Sequence, residues 1–600
     1  MRRSVKRSSA VLSVIGSLLV IGLAAGCSAG KPGGTSSDNS GGADGGGGAG
    51  GDSAGGGGAA GGGGDTGGAV GGGEGGGSTT PTPIPTAPTG LPAITISAGL
   101  NVIASVGMTP PSPSVVPVPQ MTGGTIVDQD AAIRLGKALF WDAQAGSDGT
   151  IACASCHFHA GADSRTLQTR HPGNDLTFQT SDDAVGSSGV FSTSFGSIST
   201  NLNDPVDVCA SVTPGNPAQA VLSGAGQRLV TGRNAPPAIG AVFYLDNFYD
   251  GRASHNFNGQ DPLGAGTPIA GNASLASQSL GPPISEVEMS CAGRQWNGPN
   301  SLGAKLVPRT PLAKQVVAPD DSVLGPLSNF PAPGLKCGFA DRLCTYADLI
   351  AAAFGTGALS GQAAADAYVN DFASIWGQAV QAYEATLVPD RTPYDLGLLT
   401  PAQVNGLNRF RGKCGSCHVE PEFSDATVRV ITANGGPTTP QQVQPSDPLL
   451  APQPADQGYH NIGVTPTAED RGRKASPGGT YHTAAPGEVD FNDGAFKTPG
   501  LRNLKLTAPY MHNGRIPTID GVLNFYDGAG MVLNAEINAE VLDAGVSADF
   551  FADVRDFLAN GLTDCRVEHE RAPFDHPALE IPNGPSLPAR GAAGDGAVCP

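Results

Sequence analysis

Positive charge is scarce in this chain. Its 600 residues carry 34 Lys and Arg against 53 Asp and Glu, a formal net charge of −19. The basic residues form no stripe, which excludes a nucleic-acid-binding protein and fits an acidic body that attracts a basic partner. Long apolar runs are also few. One, at 11–25, follows Arg2, Arg3, Lys6 and Arg7, and no second run approaches the length of a membrane-spanning helix. A thioredoxin-like βαβ setting is missing too, so a dithiol redox role for the C-x-x-C pairs has no support.

What is abundant is glycine. Of 88 glycines, many fall in 33–77, a segment that cannot bury enough apolar surface to offset its ordering entropy. The Pro-rich run PTPIPTAPTG at 81–90 extends and stiffens it. The basic start and the apolar run have the layout of a secretory signal. They end in LAAGCS, which resembles a bacterial lipoprotein processing site with Cys27 as the lipid-bearing residue. Ser28 resembles the sorting signal for the outer membrane. The expected order is a signal peptide over 1–26, a Gly/Pro-rich linker over 27–92, a first domain over 125–390, a second over 395–572, and a flexible tail over 573–600. The expected location is the periplasmic side, tethered by lipid.

Eleven cysteines divide into groups. Cys27 belongs to the lipid site. Cys209, Cys291, Cys337, Cys344, Cys565 and Cys599 are spare in an oxidising compartment, enough for three disulfides in fifteen connectivities, of which only Cys337–Cys344 is favoured by proximity. The other four lie in CASCH (Cys153, Cys156, His157) and CGSCH (Cys414, Cys417, His418). C-x-x-C-H is the attachment signature of c-type haem. Two thiols about one helical turn apart form thioethers with the vinyl groups, and the adjacent histidine becomes the proximal iron ligand. A zinc site would need the two pairs close together, yet about 260 residues separate them. Two covalent haems are therefore expected.

Helical lead-ins precede both motifs. In 128–142, Ile133, Leu135, Leu139 and Phe140 recur with helical periodicity. Before the second motif, Thr400 reads as N-cap and Pro401 as the first helical residue. The stretches 361–388 and 549–562 read as further helices, with long irregular segments at 161–220 and 419–488. The fold class is mainly α: two cytochrome-c-like haem domains with long irregular loops and no parallel sheet.

LGKALFWD, TGRNAPPAIGAVF, FYDGRASHNFNG, EMSC and FKTPGLRNLKLTAPYMHNG…LNFYDG follow one another in the order of a known family. The chain resembles the bacterial di-haem cytochrome c peroxidase/MauG family over roughly 128–560. The resemblance implies an N-terminal haem where hydrogen peroxide reacts and a C-terminal haem that supplies electrons. It also implies a calcium ion between domains, held at Asn234, Thr507 and Pro509, and a small cytochrome or cupredoxin as electron donor, with a homodimer left open. It makes Glu288 the acid/base residue, Gln260 its partner amide, and Tyr249, in place of the family's tryptophan, the electron relay. His512 falls near the haems. Tyr526, fourteen residues later, falls where the peroxidases have methionine and MauG has tyrosine as sixth ligand of the second haem; Met511 is not the expected ligand. SGAGQRLVTGRN lacks the distal histidine of the peroxidases, which favours an open first iron, although His159 or His171 could reach it from the long loop. Trp141, Trp296 and Trp376 match no relay. Three functions follow: peroxide reduction, MauG-like oxidation of a protein or organic substrate, and electron carriage by a tethered cytochrome without catalysis.

Overall fold

A computed structural model describes residues 117–338, 342–476, 480–542 and 548–600. The expected signal peptide, Cys27 and the Gly/Pro-rich linker lie outside the described residues. Within them the fold is mainly helical, with short strands in six two-stranded antiparallel pairs.

Helix α1 (Gln129–Trp141) starts at Asp128, whose side chain accepts from Ala131 N, and it buries Ile133, Leu135, Leu139 and Phe140. The helix expected over 361–388 is instead two helices, Gly361–Asn370 (α2) and Phe372–Glu384 (α3), separated at Asp371, which has φ −113° and ψ 19°. Asn370 and Asp371 are short polar residues that compete with helical backbone bonding, so a break there costs little. It also lets α2 stay at the surface while α3 is buried along its whole length. The two long helices cross closely at Gly136, where a Cβ would lie 1.9 Å from the Ala379 carbonyl oxygen.

The second core repeats this device. Helix α4 (Pro401–Lys413) opens on a reciprocal cap: Thr400 Oγ1 accepts from Gln403 N, and Gln403 Oε1 accepts from Thr400 N. It packs on α6 (Ala548–Asp556) at Gly406, where a Cβ would lie 2.1 Å from the Asp553 carbonyl oxygen. Between them in sequence, α5 (Ile519–Tyr526) adds Leu523 to a core that includes Phe410, Phe423 and Phe557.

The spare cysteines form Cys209–Cys291, Cys337–Cys344 and Cys565–Cys599. The last pair bears on an expectation the structure overturns. Residues 573–600 are not a flexible tail. Phe574, Leu579 and Ile581 are buried in the first core, His576 stacks on Trp141 with ring centroids 4.7 Å apart, and Asp575 accepts from Ser322 Oγ at 2.6 Å. Proline and glycine keep the segment extended, but spaced apolar side chains and the disulfide fasten it.

Candidate haem centres

The first C-x-x-C-H motif leaves α1 through a short 3-10 turn, Cys153–Ser155, closed by a hydrogen bond from Ala152 N to Ser155 Oγ. His157 follows, with Nδ1 donating to the Gly161 carbonyl at 2.9 Å. That bond fixes the tautomer and leaves Nε2 free as a ligand. His418 is held the same way, its Nδ1 lying 3.0 Å from the Phe423 carbonyl and 3.1 Å from that of Pro499. Burial lowers the pKa of both rings, favouring the neutral, ligating form. Among the described cysteines the four of the two motifs are free, and the other six are paired. Free thiol pairs, each beside an oriented histidine, fit covalent haem.

A cavity of about 600 Å³ opens against Cys153, Cys156 and His157. Glu288 lines it, and burial raises its carboxyl above the ordinary range, as suits a proton donor. Gln260 does not line it. Asn258 Oδ1 accepts from Gln260 N and Asp261 N, and this tight turn sends the Gln260 side chain to the exposed surface. Several amides do line the cavity, Gln219 and Gln278 among them; Gln278 lies eighteen residues on, near the end of a short helix, Ser274–Ser279, and also lines a second cavity. His171 also lines the cavity, while His159 is exposed and outside it.

A smaller cavity, about 80 Å³, adjoins the first. Both are lined by His157, Phe248, Tyr249, Gln278 and Glu384, and the smaller one continues to Pro499, the residue whose carbonyl holds His418. Tyr249 thus lines both cavities. Phe248, with φ 62°, turns the backbone just before it, an uncommon conformation for a bulky residue. Burial raises the Tyr249 phenol well above its ordinary pKa.

The run at 508–528 separates its three candidates. Met511 has φ 70°, the turn that precedes His512. His512 lies in the wall of the first cavity, stacked on Phe496 with centroids 3.6 Å apart, and its Nε2 has no partner among the described residues. Burial lowers its pKa to about 3, so it is neutral. Tyr526 ends α5 and packs into the second core beside Cys414; burial and the two nearby thiols of the motif raise its pKa. Of the residues expected to hold calcium, Asn234 Nδ2 is 2.8 Å from the Pro509 carbonyl, and Thr507 is buried nearby in sequence. Rotating that amide would present Oδ1 beside the same carbonyl, an oxygen set that suits calcium.

Residues 130–318 match the family model described as "Di-haem cytochrome c peroxidase". That segment is similar to the di-haem cytochrome c peroxidase family over 189 of the 600 residues. Over 182 residues the chain is 34% identical to cytochrome-c peroxidase IdrP1 of Denitromonas iodatirespirans, covering 27% of this chain and 45% of the relative. It is 24% identical over 398 residues to cytochrome c peroxidase Ccp of Escherichia coli K12, covering 65% of this chain and 52% of that protein. The chain thus spans about half the length of these curated relatives. A MauG-like protein associated with microbial copper homeostasis superposes with TM-score 0.41 at 18% identity, covering 76% of this chain and 95% of that one.

Two groups near these centres carry no family motif. Glu384, at the end of α3, is buried in the wall shared by both cavities; its Oε2 has no hydrogen-bond partner among the described residues, and burial raises its pKa to about 8. In sequence it is one acid in an Ala-rich helix, and no local signal marks it. Cys417, Asp425 and His460 cluster beside the second motif, with His460 Nε2 2.8 Å from Asp425 Oδ2. A thioether at Cys417 would leave no thiolate there for a metal ion.

Proposed function

We propose that this chain is a di-haem c-type oxidoreductase that reduces hydrogen peroxide at the His157 site with electrons drawn from the His418 site. The observation that carries this reading is the pair of adjoining cavities. The larger one joins the first C-x-x-C-H motif to Glu288, and the smaller one leads past Tyr249 to the carbonyl that orients His418. When bound, the haems supply iron for peroxide binding and for electron storage.

Cys153 and Cys156 would hold the first haem through thioethers and His157 would bind its iron; Cys414, Cys417 and His418 would do the same for the second, where Tyr526 would offer a further oxygen to the iron. Glu288, its carboxyl pKa raised by burial, delivers a proton to the peroxide oxygen that leaves as water, and Gln278 takes the place expected of Gln260 as the amide that orients it. Tyr249 passes electrons between the sites. His512, neutral and with a free Nε2, presents a polar atom to the first cavity. Asn234, Thr507 and Pro509 bind calcium between the two haem domains. The donor is a small cytochrome or cupredoxin, and the protein is exported and held at the periplasmic face by lipid on Cys27.

A MauG-like oxidation of a protein or organic substrate is the second reading, favoured by Tyr526 at the Cys414 site. His171 in the first cavity wall favours instead a peroxidase whose iron is opened by reduction. The test is peroxide consumption by the holoprotein with a reduced small cytochrome as donor. Glu288→Gln should slow it by about 10²–10⁴-fold, the usual contribution of one acid–base group. Unchanged turnover in that variant would remove Glu288 from the mechanism, and no turnover in the parent would remove the peroxidase reading.

A further inference from the structure

From Phe140, in the wall of the first cavity, runs a chain of aromatic rings that the proposed reaction does not use. Phe140 packs against His157 with centroids 6.2 Å apart, and against Tyr383 at 5.6 Å in an edge-to-face arrangement. Trp141 Nε1 donates to Tyr383 Oη at 3.1 Å. The other side of the indole is covered by His576, stacked within 10° of parallel. Tyr383 and Trp141 are 2% and 5% exposed, so water does not reach them freely. The close crossing at Gly136 is what brings the two helices that carry them together.

The surroundings of Tyr383 are unusual for a buried phenol. Lys137, Asp321 and Asp575 act electrostatically on it, and burial raises its pKa to about 12. Lys137 Nζ is 2.8 Å from Asp321 Oδ1 and 3.7 Å from Asp575 Oδ2. Asp321 Oδ2 is buried and has no hydrogen-bond partner among the described residues. A fully buried acceptor thus stands in the charge cluster that acts on an oxidisable hydroxyl. Tryptophan and tyrosine are the side chains that give up one electron most readily, and tyrosine does so only if its proton can leave.

We propose that Tyr383 and Trp141 form an internal one-electron donor to the first haem site, used when peroxide arrives and the second haem can supply only one electron. The inference rests on the peroxidase reading above. Reducing one hydrogen peroxide to two waters takes two electrons and two protons. One of these electrons would be drawn through the His418 site and Tyr383 gives the other; the two protons enter from solvent past Glu288. The bond broken in the protein is the Tyr383 O–H. Its electron goes to the first haem site, its proton to the acidic cluster that holds Asp321, and a neutral tyrosyl radical remains, hydrogen-bonded by Trp141 Nε1–H. The docked segment that contains His576 and Asp575 keeps solvent away from this radical.

The test is freeze-quench electron paramagnetic resonance on the full-length holoprotein, both reduced by one electron and diferric, mixed with equimolar hydrogen peroxide, with Soret absorbance followed in parallel. The parent should give an organic radical whose hyperfine pattern narrows when the protein is grown on ring-deuterated tyrosine. Tyr383→Phe, which keeps the ring packing and removes the O–H, should reduce that signal to background while the Soret change persists. Trp141→Phe, which removes the hydrogen bond to Tyr383 Oη, should shorten the radical's lifetime. A Soret change with no radical, or a radical unaltered in Tyr383→Phe, overturns the inference and leaves the peroxidase reading intact. No Soret change in either the diferric or the one-electron-reduced parent overturns both.

Discussion

Replacing Glu384 by glutamine removes a titratable proton from the wall shared by the two cavities with almost no change in shape. Burial raises this carboxyl from an ordinary 4.5 to about 8, with no charged partner contributing. The folded protein therefore binds the proton more tightly than the unfolded chain does. The stabilisation is fully present below pH 4.5 and is lost as pH rises through about 8. At 1.36 kcal/mol per pH unit of displacement the full swing is about 5 kcal/mol, of which about 4 kcal/mol falls between pH 5 and pH 9. Glutamine carries no such dependence. Chemical denaturation of parent and Glu384→Gln holoproteins at pH 5, 7 and 9 should show the variant gaining on the parent as pH rises, by several kcal/mol over the range. A stability difference independent of pH would refute the reasoning and mean that Glu384 is ionised in the folded state or open to water.

Other expectations follow from the same structure. Breaking Cys565–Cys599, which has a sequence separation of 34, by Cys599→Ser should cost about 4 kcal/mol on the chain-entropy account and make 573–600 the first segment cut in limited proteolysis. Equal protease resistance in parent and variant would show that Phe574, Leu579 and Ile581 suffice to hold it. Tyr526→Met should raise the reduction potential of the second haem and leave that of the first unchanged, because methionine ligation raises the potential; spectroelectrochemistry that finds neither potential moved would show that Tyr526 only packs against the second core.

Signals confined to a few consecutive residues were legible in the sequence. The two C-x-x-C-H motifs, the Thr400 cap and the periodicity of α1 all reappear, because each depends on short-range geometry. Tyr526 could be singled out by its spacing from His512, and it does lie beside Cys414. Gln260 could not be placed, since one Asn258-centred turn decides whether its side chain faces the cavity or solvent. Residues 573–600 had the composition of a loose tail, yet their partners Lys137, Trp141 and Ser322 lie more than 250 positions away in sequence, beyond the reach of any local pattern. Glu384 was invisible for a related reason: α3 is apolar enough to be buried all round, so no amphipathic stripe separates an inward acid from an outward one.

The most direct test of the central claim is stopped-flow absorbance of the purified diferric holoprotein mixed with equimolar hydrogen peroxide, repeated after one-electron reduction. A peroxide-reactive first site predicts a rapid Soret change in at least one form. Reaction of the diferric protein would favour the MauG-like reading, and reaction only after reduction would favour a peroxidase in which His171 must leave the iron. If neither form reacts, the cavity beside His157 is not a peroxide site, and the chain is an electron carrier with two closed irons.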